Sequence, residues 1–210
     1  MLKIKVCGLR DAENIAAVAS LLPNVMGFIF YPPSARFVGN DFVAPLACNI
    51  QKAGVFVNVS LKELKESGQR NRLDILQLHG DETQEYCKEL RDLGYQVWKV
   101  FAVGDAMNYK KMERYLPYTD AFLFDSQSPA RGGSGKRFNW QLLHDYPFEH
   151  PFYLSGGVGP EDAAAILELH IPHLEGIDLN SRFEISPGIK NIQTLKTFID
   201  ELRSTSLSSQ

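Results

Sequence analysis

Ala121-Phe122-Leu123-Phe124-Asp125 is apolar for four residues and then ends on a carboxylate. Side chains of a strand alternate between faces, so Phe122 and Phe124 share one side while Ala121, Leu123 and Asp125 share the other. Large aromatics suit a helix layer, and that parity turns Asp125 the opposite way, inward and at the strand's C-terminal end. Seven further short apolar, β-branched or aromatic runs flank this one: Leu2 to Val6, Val25 to Phe30, Gly54 to Val57, Ile75 to Leu78, Gln96 to Phe101, Phe152 to Leu154 and Gly176 to Leu179. Longer stretches with apolar residues at helical spacing lie between them: Asp11 to Leu22, Leu61 to Gln69, Glu82 to Leu93, Ala106 to Tyr115, Pro160 to Leu169 and Ile192 to Leu202. Phe42 to Gln51, which contains Pro45, and the short Trp140 to His144 complete the set. Asp11 and Asp81 are placed to cap helices, Pro160 suits a first turn after Gly159, and Gly94 sits where a helix hands over to a strand. Eight strands each followed by a helix, evenly spaced and without a composition break, predict an α/β fold closed into a (β/α)8 TIM barrel over residues 1–203, in preference to an open doubly wound sheet. Residues 204–210, Ser-rich and without apolar anchors, read as a disordered tail.

The chain's 210 residues carry 22 basic and 25 acidic side chains, a formal net charge of -3 with no basic stripe, so nucleic acid is not an expected partner. Cys7, Cys48 and Cys87 are odd in number and far apart, which suits neither a disulfide framework nor a CxxC motif. No cluster stands at metal-ligand spacing, and no metal is expected. No apolar run approaches the roughly 20 residues of a membrane span, and no targeting signal is read at the start, so the expectation is a cytoplasmic protein.

Polar residues punctuate strands that should be oily. By parity Lys5 and Cys7 share a face on the first strand, and Gln77 and His79 on the fourth; Lys99 and Asp178 are further inward candidates. Unpaired buried charge costs several kcal/mol, so these groups need either internal partners, such as Lys5 with Asp178 on the neighbouring strand, or a ligand. Ser155-Gly156-Gly157 ends the seventh strand and Asn180-Ser181 follows the eighth, where barrels of this class often hold phosphate on main-chain N–H groups. A phosphorylated small-molecule substrate is the expected partner.

These segments together resemble the phosphoribosylanthranilate isomerase family over nearly the whole chain. The resemblance rests on Lys3-Ile4-Lys5-Val6-Cys7-Gly8, Gly27 through Arg36 with its Tyr31-Pro32-Pro33-Ser34-Ala35-Arg36 ending, Gln77-Leu78-His79-Gly80, Asp125 with Gly132-Gly133-Ser134-Gly135, Leu154-Ser155-Gly156-Gly157, and Asp178 through Pro187-Gly188-Ile189-Lys190. It implies an Amadori rearrangement of N-(5-phosphoribosyl)anthranilate to the open-chain carboxyphenylamino-deoxyribulose phosphate, in tryptophan biosynthesis, with Cys7 as general base and Asp125 as general acid. It further implies that Arg36 meets the anthranilate carboxylate, that Gly156, Gly157, Asn180 and Ser181 bind phosphate, and that His79 and Asp178 line the pocket. No cofactor is implied, because the substrate's own nitrogen serves as the electron sink. The Gly132 to Gly135 segment reads as a hinge for a closing loop, and monomer and homodimer both stay open.

The chain departs from the family pattern at Asn180-Ser181-Arg182, where Ser-Ser-Gly is common, and at Asn191, which replaces an acidic residue but can still cap the last helix. If position 182 required positive φ, Arg182 would be strained there; otherwise the loop is rearranged and Arg182 either supplements phosphate charge or faces solvent. Three other identities fit the residues less well. The related isomerase of histidine biosynthesis carries an aspartate where this chain has Cys7, indole-glycerol-phosphate synthase would need a catalytic lysine and glutamate set, and a non-catalytic phosphate-binding barrel would need neither Cys7 nor Asp125.

Overall fold

All eight runs form strands, which pair in chain order into a closed barrel of parallel strands in a computed structural model that describes residues 2–45, 49–126 and 137–207. They are β1 (Lys3–Val6), β2 (Val25–Ile29), β3 (Gln51–Phe56), β4 (Ile75–Leu78), β5 (Gln96–Val103), β6 (Ala121–Ser126), β7 (Phe152–Leu154) and β8 (Leu174–Leu179). The helices are α1 (Ala12–Ala19), α2 (Leu61–Asn71), α3 (Gln84–Asp92), α4 (Tyr109–Glu113), α5 (Ala163–Glu168) and α6 (Ile192–Leu207). β1 closes the barrel on β8, with Lys5 opposite Asp178. The barrel's lower interior is filled by Val25, Ala53, Ile75, Val100, Leu123 and two rings, Trp98 and Tyr153, stacked with centroids 4.1 Å apart. Gly176 makes room for that stack: a Cβ there would come within 2.7 Å of the Tyr153 ring and 2.4 Å of the Lys3 carbonyl. Phe122 and Phe124 lie outside with Phe152 and Phe101, under the helices, as parity requires.

Local chemistry accounts for the element ends. The Asn14 N–H donates to Asp11 at 2.9 Å at the start of α1, Ser60 and Glu63 form a capping box on α2, and the Thr194 N–H donates to Asn191 at the start of α6. Gly94 follows α3 with φ +90°. Several expectations are corrected. Thr83, not Asp81, caps α3. Phe42 to Gln51 makes no helix among the described residues: Pro45 disfavours one, Gln51 already belongs to β3, and Phe42 packs its ring on Phe28 and Phe30 instead. Residues 140–145 form a 3-10 turn that stops ahead of Pro147. α6 continues to Leu207, past Ser204, whose hydroxyl donates to the Glu201 carbonyl one turn back. A hairpin of β9 (Glu184–Ser186) and β10 (Ile189–Lys190) adds a small second sheet that the sequence did not suggest. Among the described residues no helix is long and apolar enough to cross a membrane. Cys48 and the Gly132 to Gly135 segment fall outside the described residues.

Lys99 is the one inward assignment that the barrel reverses. Trp98 and Val100 belong to the interior, so Lys99 between them faces the helix layer. There its ammonium donates to Glu82 at 3.0 Å and to the Leu78 and Gly80 carbonyls, while Glu82 also accepts the Asn58 and Gly80 N–H groups. Burial holds Lys99 below the usual lysine range despite Glu82. Both side chains are 3% exposed, so removing one leaves a buried charge with half its partners. Lys99→Met is expected to cost about 3 kcal/mol, roughly a 10 °C fall in Tm. The same change at the exposed Lys88, which pairs with Asp92 at 2.7 Å, should cost less than about 0.5 kcal/mol. Equal melting curves for the two variants would contradict the asymmetry.

Candidate active site

A cavity of about 260 Å³ opens at the C-terminal ends of the strands, the face on which barrels of this kind carry their chemistry. Cys7, one residue past β1, and Asp125, in β6, both line it, from strands three positions apart around the barrel. Ile29, Tyr31, Pro33, Val55 and Val57 give it an apolar wall over β2 and β3, with Arg36 near that wall's edge. Ser155, Gly156, Gly157, Asn180 and Ser181 line the side over β7 and β8. The mouth therefore offers a flat apolar surface, two reactive groups and a turn rich in main-chain donors, arranged around one ring of strands.

Backbone shape makes room for each group. Gly27 on β2 faces Cys7, and a Cβ there would stand 2.7 Å from the sulfur. Gly8, with φ +79°, lets the chain turn after Cys7; a side chain at that position would meet Arg36 and Asn180. Gly156 and Gly157 both have φ near +75°, a left-handed pair whose N–H groups can form an anion-binding concavity, and Gly156 packs on the Ser126 backbone.

Charge is concentrated beneath the mouth. Lys5 is fully buried and donates to Asp178 at 2.9 Å, which is the internal pairing open to it from the sequence. Burial alone would lower the Lys5 ammonium, but Asp178 and Cys7 hold it above the ordinary lysine value. Burial pushes the Cys7 thiol up, opposed by Lys5. Asp125 is pushed up to about 6 by burial and then by the Asp178 charge, against the Ser126 N–H it accepts at 2.8 Å and the Lys5 charge. His79 Nε2 lies 3.5 Å from Asp125 Oδ2, and Ser155 Oγ donates to Asp178 at 3.5 Å.

The cavity brings together all nine residues singled out from the sequence: Cys7, Asp125, Arg36, His79, Asp178, Gly156, Gly157, Asn180 and Ser181. Two of them already have partners. The Asn180 side-chain oxygen accepts from Lys190 at 2.8 Å, which leaves its backbone N–H and its side-chain NH2 as donors for an anion. Arg36 is already engaged by Glu184, with Nε at 2.9 and 3.0 Å from the two carboxylate oxygens and Nη2 at 2.6 Å from one. Arg182 does not carry positive φ; residues 181–183 take up a 3-10 turn, and its guanidinium pairs with Glu161 on the surface at 2.5 Å. Glu184 and Lys190 were not singled out for a role. Lys190 stands in a quoted motif, but Glu184 carries no local signal, because its partner Arg36 is 148 positions away.

Known proteins resemble this chain along nearly its whole length. The family model described as N-(5'phosphoribosyl)anthranilate (PRA) isomerase matches residues 4–201. The N-(5'-phosphoribosyl)anthranilate isomerase of Parabacteroides distasonis is 45% identical over 204 residues, covering 95% of this chain and 92% of that protein. The Phocaeicola vulgatus enzyme of the same name is 41% identical over 201 residues, covering 95% of this chain and 97% of its own. Among solved structures, phosphoribosyl anthranilate isomerase from Thermotoga maritima superposes with a TM-score of 0.82 at 30% identity, over 97% of this chain and all of that one. A phosphoribosyl anthranilate isomerase solved with reduced 1-(o-carboxyphenylamino)-1-deoxyribulose 5-phosphate gives 0.78 at 27% identity, over 97% and 100%. With the closed barrel, the cavity at its C-terminal mouth and these matches along nearly its full length, the chain belongs to the phosphoribosylanthranilate isomerase family.

Proposed function

We propose that this barrel isomerises N-(5'-phosphoribosyl)anthranilate with Asp125 as general acid and Cys7 as general base, the step belonging to tryptophan biosynthesis. The observation that carries the reading is the cavity itself: a thiol and a carboxyl whose pKa is about 6 both line it, with an apolar wall and a glycine turn. The aromatic ring lies along Ile29, Tyr31 and Val55, its carboxylate toward Arg36, and the phosphate against the main chain of Gly156, Gly157, Asn180 and Ser181. Asp125 gives its proton to the furanose ring oxygen as the C1–O bond breaks and the nitrogen lone pair forms the Schiff base. Cys7, as thiolate, then takes the C2 proton, and its electrons flow to the nitrogen to give the enolamine, which tautomerises to the ketone. Asp178 raises the acid, and His79 lies 3.5 Å from it. The substrate is a small phosphorylated molecule, with no role for nucleic acid, membrane or cofactor. One chain lines the cavity, so monomer and homodimer both accommodate the reading, although a Thermotoga maritima relative is described as dimeric. A cytoplasmic setting fits the free thiols of Cys7 and Cys87.

Cys7→Ala and Asp125→Asn are each expected to lower kcat by about 10²- to 10⁴-fold while the reduced product analogue still binds by calorimetry, since the first removes the proton acceptor and the second the transferable proton, each with little packing. Near-wild-type kcat in either variant overturns the assignment.

The raised Asp125 carboxyl also links function to stability. Its folded pKa of about 6 lies above the unfolded value of 3.8, so the protonated form's contribution is fully present below the unfolded pKa and is lost as pH rises through about 6. Asparagine at 125 does not titrate. Asp125→Asn should therefore gain on the wild type between pH 4 and 7, by up to about 3 kcal/mol for a gap of roughly two units. Denaturant titrations at the two pH values measure it, and a pH-independent difference would mean that Asp125 is an ordinary, ionised carboxylate.

A further inference from the structure

Arg36 sits on a loop, and a loop arginine free to move would spend rotamer entropy on each substrate it met. Here it is held. Glu184, at the start of β9, takes the edge of the guanidinium formed by Nε and Nη2, with contacts of 2.9, 3.0 and 2.6 Å. A guanidinium has five N–H donors in one plane, and a bidentate carboxylate on the Nε edge leaves the Nη1 edge open to a second carboxylate in that plane.

Glu184 is itself fixed from three directions. Lys190 donates to it at 2.8 Å and the Gly188 N–H at 3.1 Å, and its side chain is 4% exposed. Burial would raise the carboxyl, but the Arg36 and Lys190 bonds hold it below the usual glutamate range, so it is a carboxylate. Lys190 is tied to α1 through both its backbone groups: its N–H donates to Asn14 Oδ1 at 2.8 Å, and Asn14 Nδ2 donates to its carbonyl at 2.9 Å. Gly188 has φ +87° and packs on Arg10, so the turn of the hairpin is also fixed. A continuous set of bonds thus runs from α1 through β10 and Glu184 to Arg36.

We infer that Glu184 is a positioning residue for substrate recognition: the hairpin β9–β10 exists in this site to hold one edge of Arg36 so that the other is presented to the substrate's ring carboxylate. The inference rests on the reading of Arg36 given above. Lys190 holds Glu184 as well, and its second bond, to Asn180, joins the recognition side of the pocket to the phosphate side.

The test uses Glu184→Asp and Glu184→Gln beside Arg36→Ala. Aspartate keeps the counter-charge that Lys190 needs but is one methylene too short to hold the fork, so it separates orientation from folding. Steady-state kinetics are run on the natural substrate and on the N-phosphoribosyl aniline analogue that lacks the ring carboxylate, with calorimetric binding of the reduced product analogue alongside. For the natural substrate, Glu184→Asp should raise KM about tenfold with kcat within roughly threefold, and leave the carboxylate-free analogue nearly unaffected. The double variant Arg36→Ala/Glu184→Asp should be no worse than Arg36→Ala, because the two residues act through one contact. If Arg36→Ala discriminates between the substrates but Glu184→Asp does not, or if the two losses simply add, Glu184 is structural and the inference fails. If Arg36→Ala harms both substrates equally, the reading of Arg36 fails first. Should Glu184→Gln not fold, the aspartate variant alone decides.

Discussion

The constraint on which the rest of the site depends is the ion pair between Lys5 and Asp178, 2.9 Å long and made across the seam where the last strand meets the first. The residues are 173 positions apart, so only closure of the barrel creates the pair. Neither charge could remain in the interior alone, since an unpaired buried ion costs several kcal/mol even after relaxation. Once paired they still carry a field, and that field reaches both reactive groups: Asp178 raises Asp125 and Lys5 opposes it, while Lys5 draws the Cys7 thiol down against its burial. The interior is consequently divided along its axis. Its lower part is a dry stack of Trp98, Tyr153, Val100 and Leu123, and its upper part is a layer of opposed charges that a packed hydrophobic core would not tolerate.

Much of this was legible in the sequence, because parallel strands announce themselves as short apolar runs and parity assigns their faces. Asp125 was placed correctly by the two phenylalanines that alternate with the inward residues. Lys99 faces the helices because Trp98 and Val100 beside it take the interior, where the Trp98 ring stacks on that of Tyr153. The helix expected over Phe42 to Gln51 is not seen among the described residues, and Phe42 packs on Phe28 and Phe30. Thr83 displaced Asp81 as a cap because only the observed start of α3 decides which side chain reaches its free N–H groups. The hairpin was illegible for a different reason. Glu184-Ile185-Ser186 has no core face to pattern it, and its value to the site lies in a bond to Arg36 that the local sequence cannot encode.

The proton inventory then sets the order of events. At neutral pH the resting site keeps its proton on sulfur, since burial raises the Cys7 thiol, whereas the Asp125 carboxyl, with a pKa of about 6, is largely ionised. The proposed reaction needs the opposite: an acid at Asp125 first, a thiolate at Cys7 second. The substrate supplies the correction through its own charge. A phosphate and a ring carboxylate bound at the mouth displace water and add negative charge near Asp125, and both effects favour its protonated form. Ring opening then replaces a neutral C1–O bond with a protonated Schiff base, a positive charge adjacent to C2 that stabilises a thiolate close by, the sulfur's proton leaving to solvent. An acid tuned slightly too low and a base tuned too high are therefore consistent with a working pair. Each reaches its active state only when the preceding event has occurred.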